Sequence, residues 1–358
     1  MIRLALCLSP LLLSGCSSSS EFQISNGYFF DFGGEAAERT ESGVVAPSVH
    51  TLSIDHVFGE VDVAAAGPGE NTGWAWTVQT WSDDRLLAQE FAERIELLVT
   101  ERNGTLELVL EIPESPGRWL RGVKSHLTVR VAADSNLRLG NQHSVSRVGG
   151  LTGKVELETA HGDCFLDHLP NGYEGRHGHG DLHAQQIGSS SIHMAHGDIE
   201  LTEVGGELTV RCRHGALIAA DVLGASDLEI EHGDVRLERL HETRARGAHG
   251  DWTLSLVAGD LELEGQHGNV QIEMESGYAR ASVQHGDLQV DATRIHGLLQ
   301  TRFGDLDLGL SDPTGLAISA SAEFGEVEGD LTERRHDTAA PHRLELTAEH
   351  GDIRLDRR

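Results

Sequence analysis

The chain has 358 residues, of which 57 are acidic and 28 are basic, and its formal net charge is −29. A surface this acidic repels phosphate groups, so the charge excludes nucleic acid as a partner and disfavours direct adsorption to anionic lipid. Protonation of the 21 histidines, which titrate at a pH of about 6.5, would raise the charge from −29 to −8 and make the binding of charged ligands sensitive to pH.

Residues 1–15 have the pattern of an export signal. One basic residue precedes an apolar run too short to span a membrane, and small residues lead to Cys16. The sequence Leu13-Ser14-Gly15-Cys16 resembles a bacterial lipobox, which implies cleavage before Cys16 and attachment of lipid to that residue. Several acyl chains anchor a protein durably, because each buried methylene contributes about 0.8 kcal/mol. An ordinary signal peptide with an incidental cysteine is the alternative.

The lipobox resemblance also indicates where the protein is anchored. Ser17 stands where lipoproteins retained in the inner membrane usually carry aspartate, which favours the outer membrane, facing the periplasm. Residues 16–45 are rich in Ser, Gly and Glu, so they are predicted to form the lipidated cysteine and a flexible tether. No later segment is apolar enough to cross a bilayer, which predicts a soluble body on that tether.

Residues 46–145 are predicted to form irregular β structure with one hairpin. The tripeptide Phe58-Gly59-Glu60 resembles a degenerate copy of the repeat described below, and Arg102-Asn103-Gly104 lies between two strand patterns as a turn. Ser82-Asp83-Asp84 predicts the start of a short helix that runs to about Glu93, with carboxylates near its first turn.

A near-constant repeat dominates residues 146–310. Apolar and polar residues alternate before and after each Gly, which predicts two short strands and two turns per repeat. A unit this small must stack on its neighbours, so the sequence predicts a β-solenoid of about 18 residues per turn, or rung, with rungs about 4.8 Å apart. An antiparallel meander remains the alternative. The aligned residues before Gly are His161, His179, His196, His214, His232, His249, His267, His285 and Phe303.

Residues 311–358 are predicted to form irregular rungs at the end of the solenoid. Phe324-Gly325-Glu326 and His350-Gly351-Asp352 continue the pattern, but each follows the preceding copy at a longer spacing than the regular repeat. We expect loop insertions to account for the longer spacings, notably between Leu331 and His342.

The repeats resemble those of a bacterial putative-adhesin family of unknown function, whose members carry units of strand, Ser-Gly-Asp and strand. The likeness runs from Pro47 to Arg358 and includes Leu-x-Ile-x-x-x-x-Gly-x-Val-x-Val at 52–63 and Leu-Thr-Val-Arg-Val at 127–131. It implies an envelope-associated protein without an assigned enzymatic activity. This sequence differs in having His where the family more often has Ser or Thr.

The histidine column has two interpretations. The rings could stack as a ladder at a corner of the solenoid, which Phe58, Phe303 and Phe324 favour because they occupy the same position and cannot ligate a metal. Alternatively, leaning imidazoles could bind zinc, copper or nickel, since two nitrogens on one zinc ion lie within about 4.2 Å of each other. The candidate metal ligands are His161, His177, His179, His183, His196, His214, His232, His249, His267 and His285.

A second column is acidic and is predicted to face water. Its main predicted role is to accept hydrogen bonds from turn backbone, and calcium binding is a weaker alternative because the spacing does not match calcium-binding β-roll repeats. The column contains Asp163, Asp181, Asp198, Asp234, Asp251, Asp287 and Asp305.

The sequence does not indicate catalysis, because a repeating corner supplies no nucleophile with an oxyanion site. Cys164 and Cys212 lie almost three rungs apart and in different columns, so we expect two buried thiols rather than a disulfide. The sequence therefore predicts a non-enzymatic, lipid-anchored envelope protein without a required cofactor. It would act in adhesion or bind an unidentified envelope protein or glycan, and periplasmic transition-metal binding is the alternative function.

Overall fold

The computed structural model describes residues 33–113, 120–331 and 341–358, together with the backbone of two short strands, Ile24–Ser25 and Tyr28–Phe29. Strands account for 69% of the described residues and helix for 3%. The predicted signal peptide and the lipid-attachment residue Cys16 lie outside the described residues. Within those residues, no helix is both long and apolar enough to cross a membrane.

The N-terminal part contains the one helix of the described residues, Arg85–Arg94 (α1), where the sequence predicted it. Asp84 caps α1, since its carboxylate accepts a hydrogen bond of 2.7 Å from the backbone N–H of Leu86. The strands of this part are β1 Ile24–Ser25, β2 Tyr28–Phe29, β3 Glu35–Val44, β4 Thr51–His56, β5 Glu60–Ala65, β6 Gly73–Ser82, β7 Glu96–Arg102, β8 Thr105–Glu111, β9 Leu120–Val131, β10 Asn136–His143 and β11 Ser146–Gly149.

The regular part consists of strand pairs, each forming one rung. These strands are β12 Val155–His161, β13 Cys164–Leu169, β14 Tyr173–His179, β15 Leu182–Ile187, β16 Ser190–His196, β17 Ile199–Val204, β18 Leu208–His214, β19 Leu217–Val222, β20 Ser226–His232, β21 Val235–Leu240, β22 Thr243–His249, β23 Trp252–Val257, β24 Leu261–His267, β25 Val270–His285, β26 Leu288–Phe303, β27 Leu306–Leu310, β28 Leu316–Ala322, β29 Val327–Glu328, β30 His342–His350 and β31 Ile353–Arg357.

The strands of successive rungs pair in parallel, one repeat apart. In β20, for example, His232 aligns with His214 on the rung before it and with His249 on the rung after it. Parallel pairing of this kind excludes the antiparallel meander and confirms the predicted β-solenoid, which has about 10 turns with about 18 residues per rung.

The solenoid interior is filled by alternate residues of both strands in each rung. Leu228 and Ile230 of β20 meet Val235, Leu237 and Leu240 of β21, and each of the five is at most 1% exposed. Because equivalent positions stack from rung to rung, one continuous hydrophobic core runs through the whole described body.

The second strand of six consecutive rungs contains one residue in the left-handed backbone region. Two consecutive residues point outward there, and the left-handed residue is the second of them. The side chain that follows it returns to the core, as Leu240 does after Arg239. Non-glycine residues reach this region at a cost of about 1–2 kcal/mol. The six residues, with φ between 52° and 58°, are His168, Gln186, Glu203, Asp221, Arg239 and Leu256.

Leu256 is the residue least suited to this conformation, and its side chain is 49% exposed, with φ at 56°. We expect Leu256→Asn to raise the free energy of unfolding by about 0.5–1 kcal/mol, because asparagine tolerates left-handed backbone. Ile218, which is 47% exposed and has ordinary strand backbone, provides the control. Urea denaturation should show no gain for Ile218→Asn, and equal effects of the two substitutions would contradict the backbone explanation.

At the N-terminal end, the order of the rungs in space differs from their order in the chain. The rung formed by β4 and β5 lies between the rung of β8 and β9 and the rung of β10 and β11, with parallel pairing on both sides. The solenoid therefore begins before residue 146, and much of the region predicted to be irregular consists of rungs. The predicted hairpin at Asn103-Gly104 is confirmed, because β7 and β8 pair in antiparallel.

Antiparallel strands extend the sheet at this end. β6 pairs with β9, and β3 pairs with β6 along its whole length from Glu35 to Val44. The tether predicted to extend to residue 45 was therefore wrong for this segment, because β6 offers a free edge on which the backbone of β3 is hydrogen-bonded. Arg39 of β3 donates to the carbonyl of Ile95 at 2.9 Å and thereby satisfies the C-terminal end of α1.

At the C-terminal end, the last segment of the chain is inserted between two earlier ones. β30 and β31 pair on one side with β26 and β27 and on the other side with β28 and β29. Phe303 consequently neighbours His350, and Phe324 lies beyond it. The longer spacings of the last two copies thus reflect a change in rung order as well as the connecting segment, whose residues 332–340 lie outside the described residues.

Candidate functional site

A row of stacked rings runs along one corner of the solenoid. Neighbouring ring centroids lie 4.6–5.1 Å apart and their planes differ by at most 9°. Most of the rings are exposed, and only the first two are half-buried. We call this row the histidine ladder, and it consists of His143, His161, His179, His196, His214, His232, His249, His267, His285, Phe303, His350 and Phe324.

The local sequence explains why the rings stack. Each ladder histidine of the regular rungs ends the first strand, and the following glycine turns the chain with a positive φ into the second strand, so equivalent rings lie above one another at the rung spacing. His143 belongs to the ladder although the sequence alignment missed it, because Ser144, with φ at 103°, replaces the glycine. Its position one full repeat before His161 could have revealed it.

Stacking favours the neutral form of the imidazoles. Burial and then the neighbouring His161 lower the pKa of His143, and burial and then His179 lower the pKa of His161. Adjacent cations would repel each other along the ladder. The ladder therefore presents a row of ring edges whose nitrogens are hydrogen-bonding groups.

The ladder geometry bears on the metal hypothesis. Stacked rings with parallel planes point their nitrogens in similar directions, and centroids 4.6–5.1 Å apart exceed the roughly 4.2 Å allowed for two nitrogens on one zinc ion. In the described part of the chain, no group of three or more His, Cys, Asp or Glu side chains is placed to hold a metal ion. The geometry thus gives no support to zinc, copper or nickel binding by the ladder.

Two of the ten candidate ligands lie away from the ladder. His177 points into the core, where its Nδ1 and the Thr159 hydroxyl are 2.8 Å apart, and burial lowers its pKa to about 4. His183 faces outward on a second strand, stacks on Phe165 at 5.1 Å and lies 3.0 Å from a carboxylate oxygen of Glu200. The structure therefore does not bring these two rings together with the other eight.

The acidic column lies on the other side of the glycine corner. Each carboxylate accepts a hydrogen bond of 2.7–3.0 Å from the backbone N–H at the same position of the next rung, as Asp181 does from Asp198. Asn269 replaces aspartate once and accepts the same bond from Asp287. These hydrogen bonds therefore link each rung to the next. The aspartates that accept them are Asp163, Asp181, Asp198, Asp234, Asp251, Asp287 and Asp305.

Cys164 and Cys212, the two cysteines of the described residues, are free and buried, as the sequence predicted. Burial raises the pKa of the Cys164 thiol to about 12 and that of Cys212 to about 11. Thiols that remain protonated are poor nucleophiles and poor metal ligands. These cysteines consequently act as small apolar groups in the core.

A groove runs beside the histidine ladder, on the outer face of the first strands. It encloses about 1270 Å³ and extends from Ser53 to Glu231, across successive rungs. A second groove of about 650 Å³ shares Glu229 and Glu231 with the first and continues to Gln300. Together they form a polar channel along the solenoid axis, which we call the axial groove. Its exposed lining residues come from outward positions of the first strands, which the sequence pattern did not single out.

Comparisons with known proteins found a matching family model and several solved structures of low similarity. A family model described as Toastrack DUF4097 matches residues 152–356. No curated protein shows significant similarity to the chain.

Three solved structures are similar to the chain at low identity. A putative cell adhesion protein from Clostridium sporogenes is 10% identical, with a TM-score of 0.21 and coverage of 90% of this chain and 100% of that one. A putative adhesin from Parabacteroides distasonis is 12% identical, with a TM-score of 0.31 and coverage of 75% and 98%. A putative adhesin from Bacteroides fragilis is 11% identical, with a TM-score of 0.21 and coverage of 90% and 97%.

Proposed function

The chain belongs to the Toastrack DUF4097 family, and from this premise we propose that it is a non-enzymatic envelope protein that binds an elongated partner along its solenoid. The axial groove carries the proposal, because it runs across many rungs and repeats the same outward positions at each one. A surface that repeats from rung to rung can bind a partner that is itself a linear repeat, such as an envelope glycan. The expected role is adhesion or attachment within the envelope.

The chemistry of the groove supports binding rather than catalysis. Its walls carry Arg and Glu side chains, many of them paired across rungs, as Arg244 and Glu262 are at 2.9 Å. The Ser–His contact between Ser125 and His56, at 3.2 Å, lies away from the groove and is buried, with the two residues 1% and 0% exposed. A substrate could not reach that hydroxyl, so it supports no hydrolytic reaction.

We further propose that Cys16 carries the lipid that holds the protein on a membrane, with the outer membrane facing the periplasm as the expected location. The support for this part is the lipobox-like sequence alone. A lipid anchor would fix the protein on the envelope and leave the solenoid free to meet its partner. Mass spectrometry of the intact N-terminal peptide would detect the acyl groups.

Blocking the axial groove should abolish binding to the envelope. Ala195 lies half-exposed in the groove next to the ladder, so Ala195→Trp would fill the groove without entering the core. We expect co-sedimentation of the full chain with protease-treated envelope fragments to fall at least ten-fold in this variant. Ser255→Trp, at a half-buried outward position of β23, serves as the control and should bind like the unmodified chain. Equal binding by both variants would overturn the proposal.

A further inference from the structure

The middle of the axial groove contains three arginines and one histidine close together. Arg176, His193 and Arg211 occupy the same outward position on three successive rungs, as their pairing in β14, β16 and β18 shows. Arg213 follows Arg211 on the same face of β18. We call these four residues the cationic cluster. On a chain with a net charge of −29, such a cluster is a local exception.

Two arginines of the cationic cluster have no partner. Arg211 is engaged, with its guanidinium 2.7 Å from Asp227 and 3.0 Å from Glu229. By contrast, Arg176 and Arg213 are exposed and form no ion pair with any described residue. Guanidinium groups bind carboxylates through two parallel hydrogen bonds, so both arginines are free to pair with a ligand.

The groove leaves room for a ligand beside these arginines. Gly178 and Ala195 occupy the outward positions between the cationic cluster and the histidine ladder, and both carry minimal side chains. Arg213, at the equivalent position of the next rung, is close enough to act on His196, whose pKa is lowered by desolvation and then by His179, His214 and Arg213. The free guanidinium thus lies beside the ladder, where imidazole edges could donate or accept hydrogen bonds.

Carboxylates border the cationic cluster at both ends. Glu156, Glu158 and Glu174 lie on one side of it, and Glu229 and Glu231 lie on the other. The cluster extends over three rungs, a length of about 10 Å at the spacing of parallel strands. A densely charged polyanion would therefore meet repulsion on both sides, whereas a ligand with isolated negative charges would not. The bordering glutamates can accept hydrogen bonds from hydroxyl groups.

We propose that the cationic cluster binds a uronic-acid-containing glycan, with Arg176 and Arg213 pairing with sugar carboxylates and the bordering glutamates accepting from sugar hydroxyls. The inference rests on the proposed function, because it names the class of partner that the axial groove receives. A ligand of this kind combines isolated carboxylates with many hydroxyls, which matches the alternation of arginine and glutamate along the groove.

Calorimetric titration of the full chain with two oligosaccharides, one alternating glucuronate and one alternating galacturonate with a neutral sugar so that the carboxylates are isolated, and with the carboxyl-reduced form of each, tests the proposal. We expect at least one acidic oligomer to bind and its reduced form to bind at least ten-fold more weakly. Arg176→Gln and Arg213→Gln should each weaken binding about ten-fold or more, since hydrogen bonds to charged groups are the strong ones. Added salt should weaken binding as well.

Arg236 supplies the matched control, because it is an exposed arginine on a second strand and has no ion-pair partner among the described residues. Arg236→Gln should bind the acidic oligomer like the unmodified chain. The proposal is overturned if no acidic oligomer binds, if the reduced forms bind equally well, or if Arg236→Gln weakens binding as much as Arg213→Gln does. If envelope fragments still bind and Ala195→Trp still blocks them, the proposed function survives and only the glycan class is wrong.

Discussion

Gly233→Ala is expected to destabilise the protein by more than about 3 kcal/mol. Gly233 has φ at 147°, a conformation that side chains with a Cβ rarely adopt. A Cβ at this position would also lie 2.0 Å from the carbonyl oxygen of Gly215 on the preceding rung. The backbone N–H groups of Gly215 and Gly233 donate hydrogen bonds of 2.9 Å to the carbonyls of His232 and His249, so neither glycine can move without disturbing the parallel pairing.

Gly205 offers a matched control for this substitution. It has no positive φ, and a Cβ there would lie no closer than 3.7 Å to another atom outside its immediate neighbours. Gly205→Ala should change the free energy of unfolding by less than about 1 kcal/mol, in either direction. Guanidinium denaturation followed by circular dichroism measures both variants. Similar stability of the two would show that the corner tolerates a side chain and that stacking of the glycines does not determine the rung geometry.

Acidification is expected to remove several kcal/mol of stability, because two core histidines are held neutral. Burial lowers the pKa of His56 to about 3 and that of His177 to about 4. Below a pH of about 6.5 the unfolded chain binds protons that the folded chain does not, so unfolding becomes easier as the pH falls. At pH 4.5 each histidine should have removed about 2–3 kcal/mol relative to pH 7.5. Stability stops falling once the pH is below the pKa values that the two histidines have in the folded chain.

Burial is the main reason that His56 resists protonation. It lowers the pKa of His56 more than a backbone hydrogen bond with Gly59 raises it, and the nearby His126 lowers it further. The Ser125 hydroxyl, which accepts a hydrogen bond of 2.8 Å from the Trp76 indole N–H, lies 3.2 Å from Nε2 of His56. The lowered pKa values of His143 and His161 in the ladder also make the folded chain less stable as the pH falls.

The double variant Thr159→Val with His177→Leu measures how much His177 contributes to the loss of stability at low pH. The double variant replaces the buried hydrogen-bonded pair by apolar groups and removes one titrating group from the core. We expect the difference in unfolding free energy between pH 7.5 and pH 4.5 to shrink by about 2–3 kcal/mol. His241→Gln, at an exposed position between strands, should leave that difference unchanged. An unfolding free energy that is the same at both pH values in the unmodified chain would refute the burial explanation.

The period of the repeat was sufficient to predict the solenoid, because alternation of apolar residues and glycine corners are local properties of the chain. The same logic predicted α1 from Asp84 and the hairpin from Asn103-Gly104. It could not predict the left-handed residue in the second strands of six rungs, since His168, Gln186 and Leu256 carry no common signal. That conformation is imposed by the need to return the next apolar side chain to the core.

The sequence by itself determined the rung length, the stacked histidine and aspartate columns and the buried core, because each follows from periodicity within one repeat. Only the tertiary structure decided the order of the rungs at both ends, where β4 lies between β8 and β10 and where β30 lies between β26 and β28. It also decided that the rings of the ladder face water, that His177 is buried and that Arg176 and Arg213 line one groove without an ion-pair partner among the described residues. These features depend on which strands become neighbours in space, and pairing between distant strands leaves no periodic signal in the chain.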